Sequence, residues 1–243
     1  MTLLRLQTMK RVYLDHAAGA PLDGEVREAM TQCSTEVYGN PSAIHAEGVA
    51  ARKAVEDARV TIATLLGVLP RNIVFTSSAT ESANLAIMGA VHAWKKAHPN
   101  RTPHIIVSAI EHDAVLAPAQ MLEENGVRVT RLSVLRSGII DTLQLERSIT
   151  LDTVLISLQY ANNEVGTIQP IQSAAKIICK WKKEHREVSR SHKIEGDQHY
   201  PLFHTDAVQA ANYLDLNIPR LGADPLVFCA SGRPHDVLFS IWK

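Results

Sequence analysis

The stretch NIVFTSSATESANLAIMGAVHAWKKA, residues 72–97, changes period in its middle. It begins with a short apolar run, Ile73–Phe75, suited to a strand. Three small hydroxyl residues follow, Thr76, Ser77 and Ser78. Beyond them the apolar positions Leu85, Met88, Val91 and Trp94 recur at helical spacing. Ser78–Glu81 reads SATE, the S-x-x-E pattern in which a hydroxyl and a carboxylate satisfy the free N–H groups of a helix start. The whole is strand, polar turn and helix, the unit from which α/β domains are built.

The same alternation runs outward in both directions. RVYLDH (11–16) reads as a short strand and DGEVREAMTQCSTEVY (23–38) as an amphipathic helix. A longer helix follows in 40–68, with Ser42 as its N-cap and Gly67 as its stop. HIIVSA (104–109), VRVTRLSV (127–134), TVLISLQY (153–160) and PLFHTDA (201–207) read as strands. TVLISLQY is almost continuously apolar, the mark of a strand covered on both faces. AVLAPAQMLEENG (114–126) and QSAAKIICKWKKEH (172–185) read as helices, and the polar run 182–200 as an exposed loop. The expected fold is α/β, a mostly parallel sheet flanked by helices.

Composition narrows the function. With 25 basic and 25 acidic residues the formal net charge is zero, so the basic footprint of a general nucleic-acid binder is missing. No window approaches the ~20 apolar residues of a membrane span, so neither nucleic acid nor membrane is expected as a partner. Cys33, Cys179 and Cys229 stand far apart and form no CxxC pair, which disfavours a disulfide framework and fits a reducing, cytoplasmic setting.

Ligands of parallel α/β sheets gather at the carboxyl ends of the strands. There the sequence places TSSATES after NIVF, IEHD after HIIVSA, ANNEVG after TVLISLQY and TDAVQ after PLFH. The helix start after Ser78, with the hydroxyls of Ser77 and Thr80, suits a phosphate as well as it suits a cap. Neither a Walker loop nor a G-x-G-x-x-G fingerprint occurs. Asp206 caps the next segment or pairs with a cationic ring nitrogen. His112 offers a flat ring for stacking; Asn162 and Asn163 offer amides to a phenolate-type oxygen, or simply shape a turn. A metal site from His112, Asp113, His204 and Asp206 is the lesser alternative, because zinc-type ligand spacing is absent.

Taken in order, VYLDHAAGAPLDGEV, YGNPSAIHAEGVAARKAVEDAR, IVFTSSATESANLAI, SAIEHDAVLAP, LQYANNEVGTIQPI and FHTDAVQA resemble the cysteine desulfurases and selenocysteine lyases, pyridoxal-phosphate (PLP) enzymes of the class V aminotransferase type. The resemblance covers roughly residues 11 to 224. It implies the large domain of the type I PLP-dependent transferase fold, and release of sulfur from L-cysteine or a related amino acid. The products are alanine and an enzyme persulfide that feeds Fe–S cluster or thio-cofactor assembly. It further implies that Ala79 and Thr80 hold the cofactor phosphate, that His112 stacks on the ring, that Asn163 and Gln209 lie near its phenolic oxygen, and that Asp206 pairs with its nitrogen. A homodimer and a sulfur-accepting scaffold protein are the implied protein partners.

The match departs from the family near the end. The family's cofactor-anchoring lysine falls on Gly232 or Pro234, depending on the alignment, and no cysteine occupies the place of the persulfide cysteine. The expected division is therefore an N-terminal segment 1–22, an incomplete cofactor domain 23–228 and a divergent tail 229–243, with the family's small domain missing. A chain so truncated is expected to be inactive by itself; the alternative is a non-catalytic dimerisation or binding module.

Overall fold

The computed structural model describes residues 11–16, 18–191, 200–211, 213–221, 226–229 and 239–241. Two helices come first, α1 (Gly24–Glu36) and α2 (Ala46–Leu66). Strand β1 (Ile73–Phe75) then leads into α3 (Ala79–Ala97). The chain continues as β2 (His104–Ser108), α4 (Asp113–Glu124), β3 (Arg128–Leu132), α5 (Thr142–Ser148), β4 (Thr153–Ser157), α6 (Ile171–Ser191), β5 (Leu202–Asp206), α7 (Ile218–Leu221), β6 (Leu226–Cys229) and β7 (Phe239–Ile241).

Five strands form one sheet in the order β3-β2-β4-β5-β6, every neighbouring pair parallel. All residues of the central strands β2 and β4 are buried, as the apolar run of TVLISLQY requires. The pleat sends alternate side chains to opposite faces. Ile105 and Val107 join a core with Ile87 and Trp94 of α3 and Val115 of α4, whereas Ile106 joins another with Leu66 of α2, Leu145 of α5 and Ile178 of α6. The result is a helix–sheet–helix sandwich.

Several local expectations are corrected. RVYLDH forms no strand: the Tyr13 hydroxyl donates to the carbonyls of Asp15 and Gly19 and folds the segment into a turn. Helix α2 starts at Ala46, not after Ser42. The Asn40 side chain accepts from the Ser42 N–H and makes a separate turn, and His45 caps the helix by accepting from the Gly48 N–H. That turn packs so closely that a Cβ on Gly48 would lie 2.6 Å from the Ala43 carbonyl oxygen. Gly67 does stop the helix, in the left-handed conformation at φ 70°. Strand β1 stands outside the five-stranded sheet and pairs antiparallel with β7, so three of the four polar strand ends, not four, share one parallel sheet. The polar run after Trp181 continues α6 to Ser191; it contains neither Pro nor Gly before Gly196, and charge alone does not break a helix. Residues 192–199 and the alignment positions Gly232 and Pro234 lie outside the described residues. Helix α5, left unassigned by the sequence, is capped by Asp141, which accepts from the Leu143 N–H.

Candidate functional site

The carboxyl ends of β2, β4 and β5 are polar and nevertheless buried: Ser108, Ser157, Gln159, His204, Thr205 and Asp206 are all inaccessible or nearly so. Asp206 ends β5. Its Oδ1 accepts from the Val208 N–H at 3.0 Å. Burial raises its pKa, against the opposing pull of that hydrogen bond and of nearby His112. Among the described residues no lysine or arginine contributes to this balance. A carboxylate in that position favours an incoming cation.

His112 is the N-cap of α4, its Nδ1 accepting from the Ala114 N–H at 3.0 Å. That bond fixes the ring's orientation, and the residue is exposed. Asn162 is fully engaged. Its Oδ1 accepts from the N–H groups of Glu164 and Val165, and its Nδ2 donates to the Ile110 carbonyl and to Gln159 Oε1. Its turn-shaping role therefore prevails. Asn163 is exposed; its Oδ1 accepts only a long 3.5 Å contact from Gln159 Nε2. Gln209 is half-buried three residues after Asp206.

A cavity of about 320 Å³ opens between two loops, Ala109–Asp113 after β2 and Asn162–Val165 after β4. It brings His112 and Asn163 to one space. Asp206 feels the charge of His112 without lining the cavity, and neither Gln209 nor the α3 start forms its wall. Ala79 and Thr80 are the first two residues of α3, so their N–H groups have no partner within the helix. Ser78 accepts from the Glu81 N–H at 3.0 Å, as the capping pattern predicts. Glu81 reaches back to Ser77, accepting from its N–H at 2.6 Å and from its hydroxyl at 2.7 Å, bonds that hold the carboxyl below its usual range. The Ser77 hydroxyl thus already serves an anionic oxygen. Ala79 packs on the same apolar cluster as Val208, beside Asp206.

The sequence reading passed over Glu111, which is buried. Its Oε1 accepts from the Gln159 N–H at 2.6 Å and the Ser108 hydroxyl at 2.9 Å, and Ser157 Oγ lies 3.5 Å from Oε2. Ser157 Oγ is in turn 2.7 Å from His204 Nδ1. Burial drives the Glu111 pKa up to about 8 despite the Gln159 hydrogen bond, and the Asp206 charge adds to the rise. Burial drives that of His204 down to about 4. The one sequence signal was Ser157, a lone hydroxyl in an apolar strand. The metal alternative gathers no group of three ligands among the described residues, and His204 Nδ1 is committed to Ser157.

The donor set fits PLP by its chemistry: free amides at a helix start beside a hydroxyl that already holds a carboxylate, an exposed flat ring on a fixed loop, and a buried acid without a cationic side chain among the described residues. Such a parallel sheet, with a buried acid at its carboxyl edge, defines an α/β domain of the kind that takes its ligand at the strand ends. The chain belongs to the class-V aminotransferase family, whose model matches residues 12–185. That family, with its cysteine desulfurases, is PLP-dependent. The chain is 43% identical over 223 residues to the cysteine desulfurase IscS of Dictyoglomus turgidum, covering 91% of this chain and 51% of that one. Among solved structures it resembles a NifS-like protein, with 35% identity and a TM-score of 0.82 over 96% of this chain and 59% of that one. It also resembles SspA in complex with cysteine, with 34% identity and a TM-score of 0.74 over 95% and 60% of the two chains. The chain spans about half the length of the curated relatives it matches. Among the described residues no helix is long and apolar enough to cross a membrane.

Proposed function

We propose that this chain is the cofactor-holding part of a cysteine desulfurase-type enzyme. The observation that carries the reading is the buried, cation-seeking carboxylate of Asp206 in electrostatic reach of the exposed His112 ring. In this reading the amides of Ala79 and Thr80 bind the cofactor phosphate, and His112 covers one ring face. Asn163 and Gln209 meet the phenolic oxygen, and Asp206 keeps the ring nitrogen protonated. Bound there, PLP supplies an electron-accepting ring that allows sulfur to leave the β-carbon of L-cysteine. Cysteine and an acceptor thiol then give alanine and a persulfide, for Fe–S cluster or thio-cofactor assembly.

We assign this work to the unit 23–228, with 1–22 as a leading segment and 229–243 as a tail of different character. Because Gly232 or Pro234 stands where the family has its anchoring lysine, the chain alone is expected to hold PLP reversibly and to release no measurable sulfide. A homodimer and a sulfur-accepting scaffold belong to the same proposal, supported by α1, which has no buried residue within the chain. A reducing cytoplasmic setting suits its free Cys33 and Cys179.

Titration with PLP, followed by absorbance, tests the reading. Saturable binding is expected, at least tenfold tighter than that of unphosphorylated pyridoxal, and not fixed to the chain by borohydride. Equal affinity for the two ligands, or no binding of either, overturns it.

A further inference from the structure

The cavity's two walls are the loop Ala109–Asp113 after β2 and the loop Asn162–Val165 after β4. Their residues are distant in sequence, and a buried side chain beneath them makes the join. Glu111 Oε1 accepts from the Ser108 hydroxyl at the end of β2 and from the Gln159 N–H beyond the end of β4. Its Oε2 faces Ser157 of β4, which bonds onward to His204 of β5. Asn162 Nδ2 adds a second tie, to the Ile110 carbonyl at 3.0 Å. A polar strap thus crosses the carboxyl ends of β2, β4 and β5 directly below the cleft.

We propose that Glu111 is a positioning residue: as a buried, uncharged acid it clamps the His112 loop to the Asn163 loop, sets the width of the cleft and leaves its negative charge to Asp206. The inference rests on the PLP reading only for the identity of the ligand. Two buried carboxyls in electrostatic reach of one another do not both ionise cheaply; environment decides which keeps the proton. Glu111 is enclosed by three hydrogen-bonding groups, two of them hydroxyls that accept as readily as they donate. A protonated Oε2 donates to Ser157 Oγ, which then donates to His204 Nδ1, so the strap closes without an orphaned donor. The titratable groups that face it among the described residues are Asp206 and His204 of β5, with His112 beyond Asp206. Ser108, Ser157 and Gln159 do not titrate. Charging Glu111 would break the donated bond and set two anions together.

Glu111→Gln imitates the uncharged acid, and Glu111→Ala removes the clamp. In ligand-free melting the wild-type midpoint is expected to fall by about 5 °C between pH 6.5 and 9, as the acid loses its proton. The Gln variant should stay level over that range. At pH 7 the Gln variant should bind PLP within about twofold of wild type, and the Ala variant at least tenfold more weakly. An alkaline fall equal in wild type and Gln variant overturns the uncharged clamp, and equal PLP affinity in the Ala variant overturns the positioning role. Should Ala fail to fold, the pH profile of Gln against wild type decides alone. Should wild type bind no PLP, the cofactor reading fails and the melting comparison still judges the clamp.

Discussion

The two ends of the sheet each bury a histidine among hydroxyls, and they do opposite work. At the amino end, His104 opens β2. Its Nδ1 pairs with Thr153 Oγ1 of β4 at 2.9 Å and its Nε2 with Thr130 Oγ1 of β3 at 2.8 Å. The ring therefore ties three adjacent strands and spends both nitrogens doing so. At the carboxyl end, His204, Ser157 and Glu111 make a comparable crossing, but two carboxyls lie buried there, no described lysine or arginine pairs with either, and a cavity opens above. Buried polarity that is fully paired is architecture. Buried negative charge awaiting a partner is preparation for a ligand.

Acid should move both ends together. His104 and His204 are each held down at about 4, in both cases first by burial. Their folded values lie below the ordinary histidine value of 6.5, so the unfolded chain binds more protons in that window. The histidines' contribution to stability is intact above pH 6.5 and is lost as pH falls toward 4, on the order of 3 kcal/mol for each histidine. Urea unfolding of the Glu111→Gln variant at pH 7 and pH 4.5 measures this, because the Glu111 carboxyl, raised by burial, titrates with the opposite sign over that window; unchanged stability there would show that neither ring is kept neutral by the fold.

Substitution should then separate the ends. Asp206→Ala removes the uncompensated charge, and PLP affinity is expected to drop about a hundredfold, roughly 2.7 kcal/mol. The melting temperature should hold or rise, since an unpaired buried carboxylate is gone. His104→Ala should do the reverse, costing about 2 kcal/mol of stability through two lost hydrogen bonds and a cavity, with PLP affinity unchanged at a temperature where the chain stays folded. If affinity follows stability in both variants, the division between architecture and ligand end is wrong.

How much of this was legible in the sequence depends on the range of the signal. Ser78–Glu81 and the apolar run of TVLISLQY are local patterns, and the capped helix and buried strand follow from them. The crossing at Glu111 is not local: its partners Ser157 and Gln159 lie 46 and 48 residues away, and a glutamate beside a histidine has no period to betray burial. Ser42 misled because Asn40 two residues earlier competes for its N–H. β1 was recognised as a strand, but its pairing with β7 depends on a segment whose register no local pattern sets. The resemblance carried residue roles that composition alone leaves open, and it drew attention to Asp206 before its burial was visible.

The smallest effect tests whether the α3 start belongs to the ligand end at all. Glu81 holds the Ser77 N–H and hydroxyl, donors that a phosphate arriving at Ala79 and Thr80 would also seek. In the ligand-free chain the internal carboxylate stands in for that anion and must yield to it. Glu81→Gln keeps an acceptor for Ser77 and removes the competing charge, so PLP should bind about threefold more tightly at low salt, the scale of a single charge at a helix start. Glu81 is exposed, so the gain should fade as salt screens it. Pyridoxal without its phosphate should gain nothing. A gain shared by both ligands would mean that Glu81 acts through the helix and not on the phosphate, and the α3 start would then join His104 on the architectural side of the comparison.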